Sequence, residues 1–315
     1  MKLNRIYQYI SLNQEVPKIL QTLKKCQKAS IIPILDLEDS LQIPFDPEKT
    51  AVLKARARKI LKTVLQIAKE QDLKIKTSLR INATDTVEFV NDIELLKEIN
   101  PLITWGSLFL PKVHSAEILK EYINALDGIN YEEMVVMAES QAFFDNYKEI
   151  ITICKGEKID KIHFGHWDYF YDARAFPIPL PDDKKLWDKV SQLLEMIEPE
   201  GFHYIRTPFC FLFRHDEFKS LITYLDGITS VPFGASTLSF SQALAICKLN
   251  DKAPPACPVD YSFTGEEQLK IANDLVEFFN RTVSPEYSFN IDTSIYRFYA
   301  PHEYLNALDF LKRNT

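Results

Sequence analysis

Ile31-Ile32-Pro33-Ile34-Leu35-Asp36-Leu37-Glu38-Asp39 sets an apolar run directly against a cluster of acids. A run that short, rich in β-branched residues and closed by charge, reads as a buried strand reaching a wet rim. Acids at such a rim are costly unless they meet a cation, a base or a substrate. The same punctuation recurs down the chain. Arg80 follows Thr77-Ser78-Leu79, Lys112 follows Leu108-Phe109-Leu110-Pro111, and Glu139 follows Val135-Val136-Met137-Ala138. Asp168 comes just past Ile162-His163-Phe164-Gly165. Charged groups closing successive strands describe a site assembled on a barrel rim.

Working outward from that stretch, strand-like and helix-like segments alternate. Ile6–Ile10, Ile31–Leu37, Lys76–Asn82, Ser107–Lys112, Met134–Ala138, Lys161–Gly165, Phe202–Arg206 and Thr229–Phe233 read as strands. Val16–Lys28, Pro47–Glu70, Val87–Ile99, Ala116–Leu126, Lys185–Ile197 and Asp216–Leu225 read as amphipathic helices between them. About eight βα units in series predict an α/β fold, a closed (β/α)8 TIM barrel, over residues 1–250. An open doubly wound sheet is the competing architecture, and it lacks its glycine fingerprint here. Pro177–Pro181 reads as a loop insertion after the sixth strand. Residues 251–315, with a helix over Gly265–Thr282, read as a C-terminal helical extension or lid on the barrel or on a neighbouring subunit.

Composition narrows the function. The 315 residues carry 46% apolar and 26% charged side chains, which are globular values. The net charge of −7 disfavours nucleic acid as a partner, because a phosphate backbone needs a basic face. No long apolar window predicts a membrane span, and Met1-Lys2-Leu3-Asn4-Arg5 has no apolar signal core, so a cytoplasmic protein is expected. The cysteines at 26, 154, 210, 247 and 257 are odd in number and form no C-x-x-C pair, which favours reduced, mostly buried thiols. With only 8 glycines, the chain has no G-x-G-x-x-G or Walker loop.

Strand alternation sorts the chemistry. Ser78, Arg80 and Asn82 share one face and Leu79 and Ile81 the other, so the polar set is predicted to point into the barrel mouth. Glu139 and Asp168, from adjacent strands, are the candidate metal ligands, since two carboxylates can hold Mg²⁺ and leave positions for water and substrate. The alternative is a salt-bridge network joining Glu139 to Lys112 and Asp168 to Arg80. Arg80 is the candidate anchor for a substrate carboxylate, or else a structural partner of Asp36. His163-x-x-His166 is read as an interior histidine followed by a rim residue, not as a zinc pair.

Taken together, these segments resemble the citrate lyase beta-subunit-like branch of the aldolase/citrate lyase superfamily. Leu35-Asp36-Leu37-Glu38-Asp39-Ser40, followed by Lys49 and Lys54-Ala55-Arg56, resembles its D-L-E-D-[AS] strand end and the helix after it. Leu79-Arg80-Ile81-Asn82 is similar to R-[IV]-N, Leu110-Pro111-Lys112-Val113 to L-P-K-V, and Ala138-Glu139-Ser140 to I-E-[ST]. Phe164-Gly165-His166-Trp167-Asp168-Tyr169 is similar to F-G-x-x-D-Y, and Tyr261–Glu267 to F-S-P-T-x-E-E. The resemblance implies a TIM barrel, Mg²⁺ (or Mn²⁺) at Glu139 and Asp168, and making or breaking of a C–C bond in a β-hydroxy acid or its CoA thioester. Arg80, Glu38 and Asp39 are then the candidate catalytic residues, and Arg80, Lys112, Gly165 and Ser239 the candidate substrate contacts.

The departures are local. Against the family's G-K-x-x-I-H-P-x-Q, this chain has Ala235 for the lysine and Ser239-Phe240 for His-Pro. His166-Trp167 replaces Ala-Glu before the metal aspartate, and Tyr299-Ala300-Pro301-His302 has no aspartate where CoA lyases carry one. Loss of a cation at position 235 predicts weak CoA binding. The expected activity is a Mg²⁺-dependent carbon–carbon lyase or aldolase acting through an enolate. Its partners are a small anionic substrate, a 2-keto or β-hydroxy acid or an acyl-CoA, and further copies in a homo-oligomer. The competing reading is a catalytically silent citrate-lyase-like subunit or scaffold, favoured by those departures and by an aromatic tail, Tyr287, Phe289, Tyr296, Phe298, Tyr299 and Tyr304.

Overall fold

The computed structural model describes residues 1–73, 76–249, 253–282 and 290–314. Tyr287 and Phe289 of the aromatic tail lie outside them. Eight parallel strands, β1 (Leu3–Ser11), β2 (Ile32–Asp36), β3 (Ser78–Arg80), β4 (Trp105–Leu110), β5 (Tyr131–Ala138), β6 (Lys161–Phe164), β7 (His203–Arg206) and β8 (Phe233–Thr237), pair in sequence order. The barrel closes where β1 pairs β8, with Tyr7 opposite Ser236.

The alternation expected from sequence sorts the core into two layers. Tyr7, Ile34, Phe109, Val135, Met137 and Ile205 fill the barrel interior. Leu35, Leu79, Ile81, Leu108, Leu110, Val136, Ile162 and Tyr204 face the surrounding helices and join the larger core. In this layer Tyr7 lies edge-on to Phe109 at 5.5 Å, and the buried pair His163 and Ser236 shares the interior with it, so the barrel is a plugged core. The helices begin where their caps stand. Asp46 accepts from the Lys49 amide at 3.0 Å and Pro47 takes the first turn of Pro47–Glu70. Thr86 and Ser115 cap Val87–Ile99 and Ala116–Ala125 in the same way.

One strand differs from expectation. Thr229–Phe233 was predicted from its β-branched residues, but β8 begins where that segment ends. Thr229 instead closes the helix His215–Ile228, and the Glu198 carboxylate accepts from the Ser230 amide at 3.1 Å. Pro232 brings no N–H, so pairing starts at Phe233. β8 consists of Phe-Gly-Ala-Ser-Thr, residues of modest strand preference that are all buried; packing overrides propensity there.

Past the barrel come the helix Gly265–Thr282, a hairpin of β9 (Asn290–Asp292) and β10 (Arg297–Tyr299), and the helix Pro301–Asn314. The hairpin is tied to the loop after β7, with the Phe298 amide donating to the Cys210 carbonyl at 2.8 Å. Helix Pro301–Asn314 lies on helix His166–Asp172, which follows β6. Phe298 and Tyr304 are buried and Tyr296 is exposed, so two of the described tail aromatics serve packing. Among the described residues no helix is long and apolar enough to cross a membrane.

Candidate active site

The registers of the paired strands fix which rim residues meet. Asp36 and Arg80 are direct register partners across β2 and β3. The Arg80 guanidinium therefore lies along the Asp36 carboxylate, with Nε 2.7 Å from Oδ1 and Nη2 2.7 Å from Oδ2. Its remaining nitrogen, Nη1, reaches Asp39 at 2.9 Å and Glu38 at 3.0 Å, and the Tyr9 ring covers the group at 4.9 Å. This changes the expected role of Arg80. Its Nε–Nη2 edge is occupied by Asp36 and its Nη1 by Asp39 and Glu38, so a substrate carboxylate would have to displace one of these acids. The alternative pairing of Asp168 with Arg80 does not occur either.

On the far side of the mouth, β5 and β6 pair with Ala138 opposite Phe164, so Glu139 and Gly165 emerge side by side. Glu139 and Asp168 are both buried. The Lys112 amide donates to Glu139 Oε2 at 2.8 Å. The Lys112 ammonium is paired with Asp168 Oδ1 and stands 4.0 Å from Glu139 Oε2 and 3.9 Å from Glu38 Oε1. Glu139 Oε1, although buried, accepts no hydrogen bond. Lys112 has φ of +53°, a left-handed turn that bends the chain back over the acids.

The electrostatics follow from crowding. Asp36, Glu38, Asp39, Glu139 and Asp168 place five carboxyl groups around two cations, Arg80 and Lys112, so the acids outnumber the cations even with Glu38 held protonated. Burial and the neighbouring Asp39 hold Glu38 well above the usual carboxylate range. Burial acts upward on Asp39 too, but Arg80, Lys112 and His302 outweigh it and keep Asp39 low. Burial would lower the Lys112 ammonium, yet Glu139, Asp39 and Glu38 raise it, so it stays charged. This donor set fits a divalent cation: an orphaned buried carboxylate oxygen, surplus negative charge, and an ammonium among the acids that compensates part of it.

His302, in the first turn of helix Pro301–Asn314, enters the same cluster with Nε2 2.9 Å from Asp168 Oδ1. Asp39, Asp168 and His302 each offer a donor atom, all within 4.8 Å of one another. Burial pushes the His302 imidazole down to about 4. Sequence reasoning passed over this residue; the signal available was the segment Tyr299–His302, noted there only for lacking an aspartate. His163 is interior as expected, with Nε2 3.1 Å from the Ser236 hydroxyl. His166 follows the end of β6 but is buried, its Nδ1 2.6 Å from the Thr207 hydroxyl.

A cavity of about 650 Å³ opens above these groups. Arg80, Asp36, Asp39, Glu139, Gly165 and Asp168 form its floor, and Phe298, Ala300 and His302 of the extension form one wall. Ser239 also borders it, while its hydroxyl caps helix Phe240–Cys247 by accepting from the Gln242 amide. Ala235 does not. It is fully buried in the outer layer, so a side chain there faces the helices, and the expectation that its lost cation weakens CoA binding has no basis in the fold.

A model of the HpcH/HpaI aldolase/citrate lyase family matches residues 14–205. No curated protein matches in sequence. Among solved structures, RipC from Yersinia pestis is similar with a TM-score of 0.57 at 18% identity, over 78% of this chain and 94% of that one. The citrate lyase beta subunit from M. tuberculosis, complexed with oxaloacetate and magnesium, gives 0.55 at 17% identity over 78% and 96%. Protein CitE from Mycobacterium tuberculosis, in complex with magnesium, acetoacetate and coenzyme A, gives 0.57 at 15% identity over 99% of both chains. At such identities the likeness is one of fold.

Proposed function

We propose, from the premise that the chain belongs to the HpcH/HpaI aldolase/citrate lyase family, that it is a Mg²⁺-dependent carbon–carbon lyase or aldolase acting on a small carboxylic acid. The observation that carries this reading is the buried, unpartnered Glu139 Oε1 beside Asp168 in a cluster with surplus negative charge. Glu139 and Asp168 would hold the cation. Bound there, a hard cation polarises the carbonyl of a 2-keto acid and stabilises the enolate form.

The other residues divide the remaining work. Arg80, fixed by Asp36, would meet a substrate carboxylate through Nη1 only once Asp39 or Glu38 gives up its contact with that nitrogen. Glu38 and Asp39 share that nitrogen but are pushed in opposite directions, so Glu38 is the one of the pair able to carry a proton while Asp39 stays a charged partner of Arg80. The apolar plug of Phe109, Met137 and Ile205 excludes water from below. Helix Pro301–Asn314 shields the mouth from one side. Lys112, once released from the acids, can face a substrate anion.

A free acid suits the cavity better than a CoA thioester. Among the described lining residues the lysines and arginines are Lys18 and Arg80, and Arg80 is already surrounded by acids. That leaves Lys18 for the phosphates of a CoA. The silent-subunit reading draws no support from Ala235, which lies on the wrong face of β8.

The test is proton exchange. With Mg²⁺, the protein should exchange the methyl protons of pyruvate for deuterium, read by NMR without knowledge of the second substrate. Glu139→Gln should abolish the exchange. Absence of exchange by the Mg²⁺-loaded protein on pyruvate and on longer 2-keto acids would remove the enolate reading. Micromolar binding of acetyl-CoA, about −8 kcal/mol, would remove the preference for a free acid.

A further inference from the structure

The helix Pro301–Asn314 is held on the barrel by contacts well separated from the acids. Phe176 stacks on Phe310 at 4.5 Å, Asn306 donates to the Ala175 carbonyl at 2.7 Å, and Tyr304 packs between Phe45 and Phe279. Its first turn is fixed as well: Glu303 accepts from the Ala300 amide at 2.9 Å and pairs with Arg297 at 2.5 Å. The His302 ring adds a tilted contact with Tyr171 at 6.0 Å, which involves the ring and not Nε2. The imidazole is buried, and its Nε2 is directed at Asp168 Oδ1, the oxygen that also meets the Lys112 ammonium. Two cationic or donor groups from different parts of the chain thus converge on one carboxylate oxygen, while Glu139 Oε1 nearby has no partner.

We propose that His302 is a nitrogen ligand of the cation held by Glu139 and Asp168, so that the metal ties the C-terminal helix to the barrel mouth and transition ions gain affinity relative to a site of carboxylates alone. The inference rests on the cation site read above. Its chemistry is that of the donor set. Mg²⁺ prefers oxygen and near-ideal octahedral geometry, whereas imidazole suits ions such as Fe²⁺, Ni²⁺ and Zn²⁺, with Mn²⁺ serving as the spectroscopic probe. Asp39 and Asp168 supply oxygen within 4.8 Å of the His302 nitrogen; Glu139 lies outside that group, and its unpartnered Oε1 would have to swing in to complete the set. A ligand carried on the extension also makes closure of the mouth depend on metal, since a helix bridged to the floor cannot lift away.

The experiment uses the full-length chain loaded with Mn²⁺. Pulsed electron paramagnetic resonance should show ¹⁴N coupling from one imidazole in the wild type. His302→Gln should remove that coupling while the protein still binds Mn²⁺, at least tenfold more weakly, with a smaller loss for Mg²⁺. His302→Asp, which restores an oxygen donor, keeps the test open if the glutamine variant does not fold; it should bind Mg²⁺ in relative preference and show no ¹⁴N coupling. Metal should slow proteolytic release of the C-terminal helix in the wild type. Mn²⁺ binding that depends on Glu139 but shows no nitrogen coupling would overturn the role of His302 and leave the carboxylate site standing. Coupling that survives in both variants would assign the nitrogen elsewhere and overturn it equally. Mn²⁺ binding indifferent to Glu139→Gln would overturn the cation site itself, and the inference with it.

Discussion

Gly165 has no room for a side chain because Glu139 lies against it: a Cβ there would stand 2.5 Å from Glu139 Cγ and closer still to Oε1. The two residues are neighbours because β5 and β6 pair with Ala138 opposite Phe164. Gly165→Ala should therefore push the carboxylate out of place. Overpacking of this kind costs about 1–3 kcal/mol, and urea unfolding should register it. Calorimetric titration should show at least a tenfold loss of Mg²⁺ or Mn²⁺ affinity. Wild-type affinity in the variant would mean that Glu139 does not hold the ion.

Arg80→Lys separates two roles of the guanidinium. A lysine cannot make both bonds to Asp36 and also reach Asp39 and Glu38. Breaking a buried pair of this type costs about 3 kcal/mol, so the variant should unfold at markedly lower urea concentration as well as losing turnover. If stability is unchanged and only KM rises, Arg80 acts on substrate alone.

Lys112→Met should tighten cation binding. The ammonium stands among the acids that would hold a cation, within 4.0 Å of Glu139 and in contact with Asp168, and an incoming ion has to displace it. Removing it should raise Mg²⁺ affinity about fivefold, near 1 kcal/mol, while turnover falls. A weaker site in the variant would show that the lysine supports the metal instead of competing with it.

Acid should unfold the protein earlier than its carboxylates alone would require. Burial, with the charge of Arg80, pushes His163 down to about 3. The unfolded chain takes up that proton near pH 6.5 and the native state does not, so stability is lost as pH falls below about 6.5 and the loss ends near the folded value, at about 1.4 kcal/mol per pH unit for one group. His163→Asn should flatten the pH dependence of urea unfolding between pH 6 and 4 by about one proton. An unchanged slope would place the acid sensitivity elsewhere.

The barrel was legible in the sequence because its signal is local. Short apolar runs closed by charge mark strands that end at a rim, and helices Val16–Lys28, Pro47–Glu70 and Val87–Ile99 carry a periodic face and their own start signals, so their observed limits match the expected ones. Alternation along a strand likewise placed Leu79 and Ile81 in the outer layer and Arg80 at the mouth, but Asn82, expected on the face of Arg80, lies past the end of β3 and bonds Asp92 and Lys54 of the flanking helices. The failure at β8 has the same origin: Thr229-Ser230-Val231 has the composition of a strand, and only packing shows that the buried pairing begins after Pro232.

Relations across strands were a different matter. The sequence by itself determined that acids and bases would gather at the strand ends; it did not determine which would touch. Register makes Asp36 the partner of Arg80, a positive φ carries Lys112 back over Asp168, and the outward face of β8 takes Ala235 away from the site. His302 reaches Asp168 only because helix Pro301–Asn314 folds back onto the helix that follows β6. Periodicity is a property of consecutive residues and survives in a linear string. A contact between distant residues depends on strand register and on how the extension closes over the barrel, and those are fixed by the packing of the whole chain.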